Sequence, residues 1–278
     1  MPLKQINQAA KVIAGGDFQK RIELEDRKDE IGQLAESFNY MAQELDKLED
    51  KRREFISNVS HDLRSPLTSI RGFVQAIMDG TITLEDQNQY LQIVLDEAER
   101  MNKMTNEILN LTKIEDKDIQ MEKAPFELNR VIKETLIHFE PLSVKRQVRV
   151  EVVLADVETW VCADKEQIIR VLHNLLENAF KFVDDDGLIL IETTYMGNRV
   201  QVSVSNSGEY IPKKDIDNIW ERFYKVDRSR GKDRVGTGLG LAIVKEIIKN
   251  HNEKIWVTSE EGEMTIFTFT VSKFEKRA

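Results

Sequence analysis

Ile31, Leu34, Phe38, Met41, Leu45 and Leu48 recur at alternating spacings of three and four. That is the seam of a coiled coil, and it fixes the kind of fold open to this chain. No glycine or proline interrupts the segment from Gln33 to Ser65. The seam therefore runs on into a second amphipathic stretch, Phe55 to Ile77, and the two read as one long helix. Such a helix cannot close a core alone; it must bury its stripe against other helices. A chain of 278 residues is also too long for one small core, and two or three units are expected.

Within the second stretch lies Ser60-His61-Asp62-Leu63-Arg64-Ser65-Pro66-Leu67. At about 100° per residue, with His61 at zero, Phe55, Val59, Leu63, Ile70, Phe73, Val74 and Ile77 fall roughly opposite it. Ser65 and Thr68 fall within about 40° of the histidine. His61 thus faces water with a carboxylate beside it. The acid can orient one ring nitrogen and leave the other free as a nucleophile. A plain surface histidine is the competing reading of the octet alone. Pro66 removes a helical donor and is expected to bend the helix.

Charged residues make up 32% of the chain, which suits long exposed helices. The net charge of −9 argues against a grip on nucleic acid through phosphates, and against direct attachment to an anionic membrane surface. A single cysteine, Cys162, excludes an internal disulfide frame and fits a reducing cytosol. No apolar run approaches the ~18 residues of a membrane span.

Before the seam, Pro2 opens a periodic stretch through Leu3, Ile6, Ala10 and Ile13, ended by Gly15-Gly16. After it, Asp79-Gly80 stops the helix. Thr83 with Asp86 can cap a second helix carrying Leu91, Val94, Ala98, Met101, Thr105 and Ile108. One such hairpin buries one face of each helix, and two would complete a four-helix bundle, so a homodimer is expected. Packing of the hairpin on the rest of its own chain is the alternative.

Near Lys117 the composition shifts, and Pro125 marks a new unit. Val148, Val150 and Val152 alternate. Leu188–Tyr195 and Arg199–Ser205 flank a hairpin turn at Met196-Gly197-Asn198, and Ile255–Ser259 and Met264–Val271 flank Glu260-Glu261-Gly262. Helices are predicted over Glu127–His138, Asp164–Phe182 and Leu239–Asn250. This is an α+β sandwich, helices on one face of a mixed sheet. Trp160 and Trp256 are expected in its core; His138, His173 and His251 have no metal-ligand spacing.

The middle helix of that unit carries two faces. With Asn174 at zero, Asn178 lies at about 40° and Lys181 at about 340°, while Ile168, Leu172, Leu175, Leu176 and Ala179 lie between about 100° and 200°. Amide oxygens are hard ligands and a lysine can meet phosphate. A solvated helix face is the bland alternative. Gly236-Thr237-Gly238-Leu239-Gly240-Leu241 opens the following helix. Its glycines let backbone amides approach an anion, although no Gly-Lys-Ser/Thr follows as in a P-loop.

Taken in order, these motifs resemble the sensor histidine kinases of two-component systems. The His61 octet resembles the phosphoacceptor box and Asn174–Phe182 the asparagine box. Val204–Pro212 resembles the first glycine box, Ile219–Asp227 the phenylalanine box and Gly236–Leu241 the second glycine box, shared with gyrase-type and heat-shock ATPases. Asp29-Glu30-Ile31-Gly32 resembles the start of the second helix of a HAMP domain, with a plain dimeric coiled coil as the alternative. The implied layout is a HAMP relay over 1–50, a dimerisation and phosphotransfer hairpin over 51–118, and a catalytic ATP-binding domain over 119–278.

The resemblance implies ATP-dependent phosphorylation of His61, then transfer to an aspartate on the receiver domain of a response regulator. Asp62 would orient the imidazole and take its proton. Ser65, four residues on, would stand where the family orients water to dephosphorylate its regulator. Asn178 would be the main Mg2+ ligand, assisted by Asn174. Lys181 would contact phosphate, and Phe182 would lie against the nucleotide. Gly208, Gly236, Thr237, Gly238, Leu239 and Gly240 would belong to the nucleotide loops, and Lys225 would reach the terminal phosphate. Gly231 and Lys232-Asp233-Arg234 fit a mobile lid. Asn206 and Tyr210 depart from the family pattern, which has aspartate and glycine there. Asn206 can still accept from the adenine amino group, without the charge. HAMP domains follow membrane spans, so the chain is expected to be the soluble cytoplasmic portion of a membrane sensor. The alternatives are a nucleotide-binding dimeric scaffold without kinase activity, and a clamp-type ATPase of the same fold.

Overall fold

The computed structural model describes residues 2–22, 29–115, 121–156, 158–226 and 236–274. The chain forms two compact units, one ending at Tyr90 and one beginning at Leu91.

In the first unit, α1 (Pro2–Ala14) is followed by α2 (Glu30–Met78), a helix of 49 residues. The amides of Gly15 and Gly16 close α1 on the carbonyls of Lys11 and Ile13, and Gly16 takes φ 97°, a conformation open to glycine. Ile6, Ala9, Ile22 and Ala35 form a buried cluster, with Ile31 and Phe38 packed against it. The Asn39 amide clamps the connector like a strand partner: Oδ1 accepts from the Ile22 amide at 2.8 Å and Nδ2 donates to its carbonyl at 2.9 Å. Asp29 caps α2 by accepting from the Gly32 amide at 3.0 Å. From there α2 continues through Pro66 to Met78, joining the coil seam to the His61 stretch in one helix with a contour of about 75 Å. Ala35 and Ala42 are buried, but Leu34, Met41 and Leu48 remain 46%, 43% and 65% exposed. Ile31 and Phe38 of the seam pack against the α1 cluster, while Leu34, Met41 and Leu48 face water in a single chain.

Gly80, at φ 76°, ends this helix. The Thr83–Asp86 pair differs from a capping box. The Thr83 hydroxyl donates to the Asp86 carboxylate at 2.8 Å and α3 starts later, at Gln87, running to Glu115. The side chain that would cap a backbone amide is committed to its own partner.

The second unit contains the rest of α3 and an α+β layer structure. A small antiparallel pair, β1 (Ala124–Glu127) with β3 (Trp160–Ala163), accompanies a five-stranded sheet. The sheet order is β2 (Arg149–Val153), β4 (Leu188–Met196), β5 (Arg199–Asn206), β7 (Thr265–Ser272), β6 (Ile255–Thr258). β2 runs parallel to β4 and the other neighbours are antiparallel, so the sheet is mixed as expected. Strand alternation buries Ile189 and Ile191, Val200, Val202 and Val204, and Phe267, Phe269 and Val271. Against β5 packs α6 (Lys165–Phe182), through Ile168, Leu172, Leu175, Leu176 and Ala179, all at most 2% exposed. Each large side chain so buried contributes roughly 1.5–3 kcal/mol. Helices α4 (Leu128–Ile137) and α7 (Gly240–Asn250) flank α6. The short α5 (Glu140–Arg146) was not foreseen; seven residues give too little periodicity to read.

Trp160 and Trp256 are not core residues. Trp160 is half-buried with its indole N–H donated to Glu158 at 3.1 Å, and Trp256 is 36% exposed on the edge strand β6. Strand-like sequence placed both correctly in strands; only the sheet order decided that β6 is an edge. His251 has a structural role. It is 7% exposed, its Nε2 accepts from the Asp164 amide at 3.1 Å, and Nδ1–H donates to the Ile247 carbonyl at 2.8 Å. It ties the end of α7 to the start of α6.

Candidate active site

On α2, His61 projects into water with 82% of its side chain exposed, and its Nδ1 lies 3.1 Å from Asp62 Oδ1. A neutral ring held this way keeps its proton on Nδ1 and leaves the Nε2 lone pair free. Behind it, Val59, Leu63, Ile70 and Phe73 are half-buried, as the helical phase predicts. Ser65 is exposed one turn further on. The helix supplies an extended mount that carries the imidazole on its solvent face.

In the second unit, the wet face of α6 forms one wall of a cleft of about 660 Å3. Asn174, Asn178, Lys181 and Phe182 all line it. Asp164 starts this helix by accepting from the Gln167 amide at 3.1 Å, and that start sets the phase of the whole stripe. The Asn174 Nδ2 donates to the Arg170 carbonyl at 2.8 Å, which turns Oδ1 outward. A Cβ added at Gly240 would lie 2.9 Å from that Oδ1, and one added at Gly236 would lie 2.8 Å from Lys181 Nζ. The glycine loop therefore lies directly over the amide and ammonium, leaving a passage that any larger residue would narrow. This is a cradle with hard oxygen donors on one side and backbone amides on the other. It fits a triphosphate with a hard divalent cation such as Mg2+.

Gly236, Thr237, Gly238 and Gly240 line the same cleft, as do Asn206 and Lys225. Asn206 ends β5 at 2% exposure, and its Nδ2 donates to the Ser207 carbonyl at 3.1 Å, leaving Oδ1 as the acceptor. Two candidates stand behind the cleft. Leu239 is fully buried, its amide 3.3 Å from Thr237 Oγ1. Gly208, at φ 131°, packs under the Phe182 carbonyl, where an added Cβ would approach to 2.2 Å. Both shape the loops without lining the cavity. Gly231 and Lys232-Asp233-Arg234, read as a lid, lie outside the described residues.

Sequence reasoning missed several cleft residues. Arg100, Lys103 and Glu107 come from α3. Lys103 pairs with Glu177, and the Thr237 hydroxyl donates to the Glu107 carboxylate. Burial raises the Glu107 pKa above the usual carboxylate range, while the Thr237 bond and Lys103 act against it. From α5, Arg146 donates to the carbonyls of Phe180 and Val183, holding the end of α6. Asp215 lies in the turns after the first glycine box, at 5% exposure. None sits in a motif; for those on helices the available signal was a polar residue on an amphipathic helix, which is common on any surface, and Asp215 in its turns has no periodic signal at all.

An exposed imidazole with an acid on Nδ1, and an α+β domain whose asparagine stripe faces a glycine loop, define a two-component histidine kinase. The chain belongs to the sensor histidine kinases. Three family models match it in order: HAMP domain over residues 2–47, His Kinase A (phospho-acceptor) domain over 51–117, and Histidine kinase-, DNA gyrase B-, and HSP90-like ATPase over 163–275. Sensor histidine kinase WalK of Bacillus subtilis (strain 168) is 35% identical over 243 residues, 86% of this chain and 39% of that protein. Sensor histidine kinase YclK of the same organism is 32% identical over 273 residues, 95% of this chain and 57% of its own length. The chain thus spans well under two thirds of either relative.

Among solved structures, histidine kinase ThkA in complex with response regulator protein TrrA matches with a TM-score of 0.66 and 27% identity. That match covers 83% of this chain and 66% of the other. Acinetobacter baumannii histidine kinase AdeS, 23% identical, shares the fold with a TM-score of 0.64 over 77% of this chain and 98% of its own. No helix of the described residues is long and apolar enough to cross a membrane.

Proposed function

We propose that this chain transfers the terminal phosphoryl group of ATP to Nε2 of His61, and then to an aspartate on the receiver domain of a response regulator. The observation that carries the reading is the pairing of the exposed His61, through Nδ1, with Asp62 at 3.1 Å. With the Nδ1 proton turned toward Asp62, the Nε2 lone pair forms the N–P bond as the bond to the ADP oxygen breaks. The ring gains positive charge, and its Nδ1 proton passes to the Asp62 carboxylate. Phosphoryl transfer otherwise needs positioning and charge neutralisation, which is the work of the cleft. Lys181 and Lys225 would meet phosphate oxygens, the amides of Gly236–Gly240 would cradle them, and Phe182 would lie against the nucleotide. Asn178, with Asn174, would hold Mg2+, which when bound neutralises phosphate charge. Asn206 Oδ1 would accept from the base.

We assign the working form as a homodimer, because Leu34, Met41 and Leu48 form an apolar stripe that one chain leaves in water. The HAMP match and the sensor relatives favour a membrane-linked parent protein. Ser65 would orient water for dephosphorylation of the regulator. The deciding experiment uses ATP labelled at the terminal phosphate with Mg2+. Acid-labile label on the wild type that is absent from His61→Gln is the expected result. Nucleotide binding with no label would leave a scaffold, and phosphate release unchanged in His61→Gln would leave a clamp-type ATPase.

A further inference from the structure

The turn after β5 carries an aromatic ring that the reaction above does not use. Tyr210 lines the cleft and is 42% exposed. Its backbone is tied to the strand pair that ends at Asn206. Asn206 pairs across the sheet with Thr265. The Thr265 hydroxyl donates to the Glu209 carbonyl at 3.4 Å and lies 2.7 Å from the Ser259 hydroxyl, whose oxygen accepts from the Ile211 amide at 2.8 Å. The residues on both sides of Tyr210 are thus bonded to one pair of hydroxyls, and both of those side chains are buried. Two residues earlier, Gly208 bridges to Val183 and packs under the Phe182 carbonyl. These bonds hold Tyr210 beside the ends of β5 and α6, the elements that bring Asn206 and Phe182 to the cleft. Ile211, Pro212, Ile219 and Phe267 line the same cleft, and apolar walls suit a flat heterocycle. A ring anchored through its backbone and left half in water loses little freedom when a flat ligand covers it, so its burial is turned into affinity.

Resting on the nucleotide reading of this cleft, we propose that Tyr210 is a further binding residue, whose ring packs against the face of the nucleotide's base. The family pattern has glycine at this position, which offers no side chain for such a contact. Asn206 stands where that pattern has a charged acceptor, and a neutral acceptor bonds more weakly. Stacked area at Tyr210 offsets that loss. Stacking uses the π-face that every base presents, so this contact adds affinity and leaves the choice of base to other groups.

The test measures binding of Mg·ATP and of Mg·tripolyphosphate, which has no base, by calorimetry on the whole chain. Tyr210→Ala is expected to weaken ATP by about tenfold, as loss of one base–aromatic stack implies, and to leave tripolyphosphate unchanged. Tyr210→Phe keeps the ring and is expected to stay within about twofold of wild type for both ligands. Equal weakening of the two ligands by Tyr210→Ala overturns the assignment and leaves a support for the turn. Unchanged or tighter ATP binding overturns it and leaves a ring on the rim of the cleft. ATP binding by Tyr210→Phe as weak as that of Tyr210→Ala overturns it in favour of the hydroxyl. If tripolyphosphate binds no form of the chain, the Phe variant decides alone: rescue supports the stack and failure overturns it. If Tyr210→Ala does not fold, Tyr210→Leu, apolar without a ring, takes its place under the same outcomes. Absence of any ATP binding by the wild type overturns the nucleotide reading itself.

Discussion

The Thr237 hydroxyl, in the glycine loop of the cleft, donates a hydrogen bond to the carboxylate of Glu107 on α3. A negative group is thus held at the loop that suits an anion. Unit charges of the same sign a few ångströms apart repel by about 1–4 kcal/mol at a partly wet site. Glu107→Gln keeps an acceptor for Thr237 and removes the charge. ATP affinity is expected to rise severalfold, read by calorimetry. Burial raises the Glu107 pKa, so its contribution to stability is present below the ordinary carboxylate range and is lost as pH rises through the raised value. The melting temperature of Glu107→Gln should therefore exceed wild type at neutral pH and converge with it in acid.

His251 works in the opposite direction. Burial lowers its pKa below 6.5, with the Ile247 bond acting against the shift. Its stabilisation is present above 6.5 and is lost as pH falls through the lowered value. Protonated Nε2 can no longer accept from the Asp164 amide. Melting of the wild type should fall on mild acidification, and His251→Gln should flatten that part of the curve while lowering its plateau by roughly 1–2 kcal/mol.

Gly208→Ala places a methyl against the Phe182 carbonyl at a φ that side chains avoid. A loss of about 2–4 kcal/mol is expected in denaturant unfolding. Gly72→Ala, where an added Cβ meets nothing, should be neutral or slightly stabilising. Equal effects at the two positions would remove the steric account.

The exposed stripe on α2 predicts association. Sedimentation should give a dimer at micromolar concentration, and Met41→Glu with Leu48→Glu should shift it toward monomer by burying like charges across the seam. A wild-type monomer under those conditions would contradict the assignment.

Periodicity made the long elements legible. The seam from Ile31 to Leu48 and the arc from Phe55 to Ile77 merge into α2 because nothing local stops a helix there. The stripe of Asn174, Asn178 and Lys181 was readable because one helix sets all three directions. The hairpin at Gly197 was readable because the turn demands a residue free to take φ 58°. Trp256 was misread because strand sequence does not say which strand lies at an edge.

Local chemistry in the chain thus determined the helices, the hairpins, the outward His61 and the wet face of α6, each a consequence of backbone period over a few turns. Tertiary structure alone decided what meets that face. Glu107 and Thr237 are separated by 130 residues, and Asp215 reaches the cleft through a set of turns with no period. Contacts between distant segments depend on how whole elements pack, and packing is a property of the assembled core, not of any window of sequence.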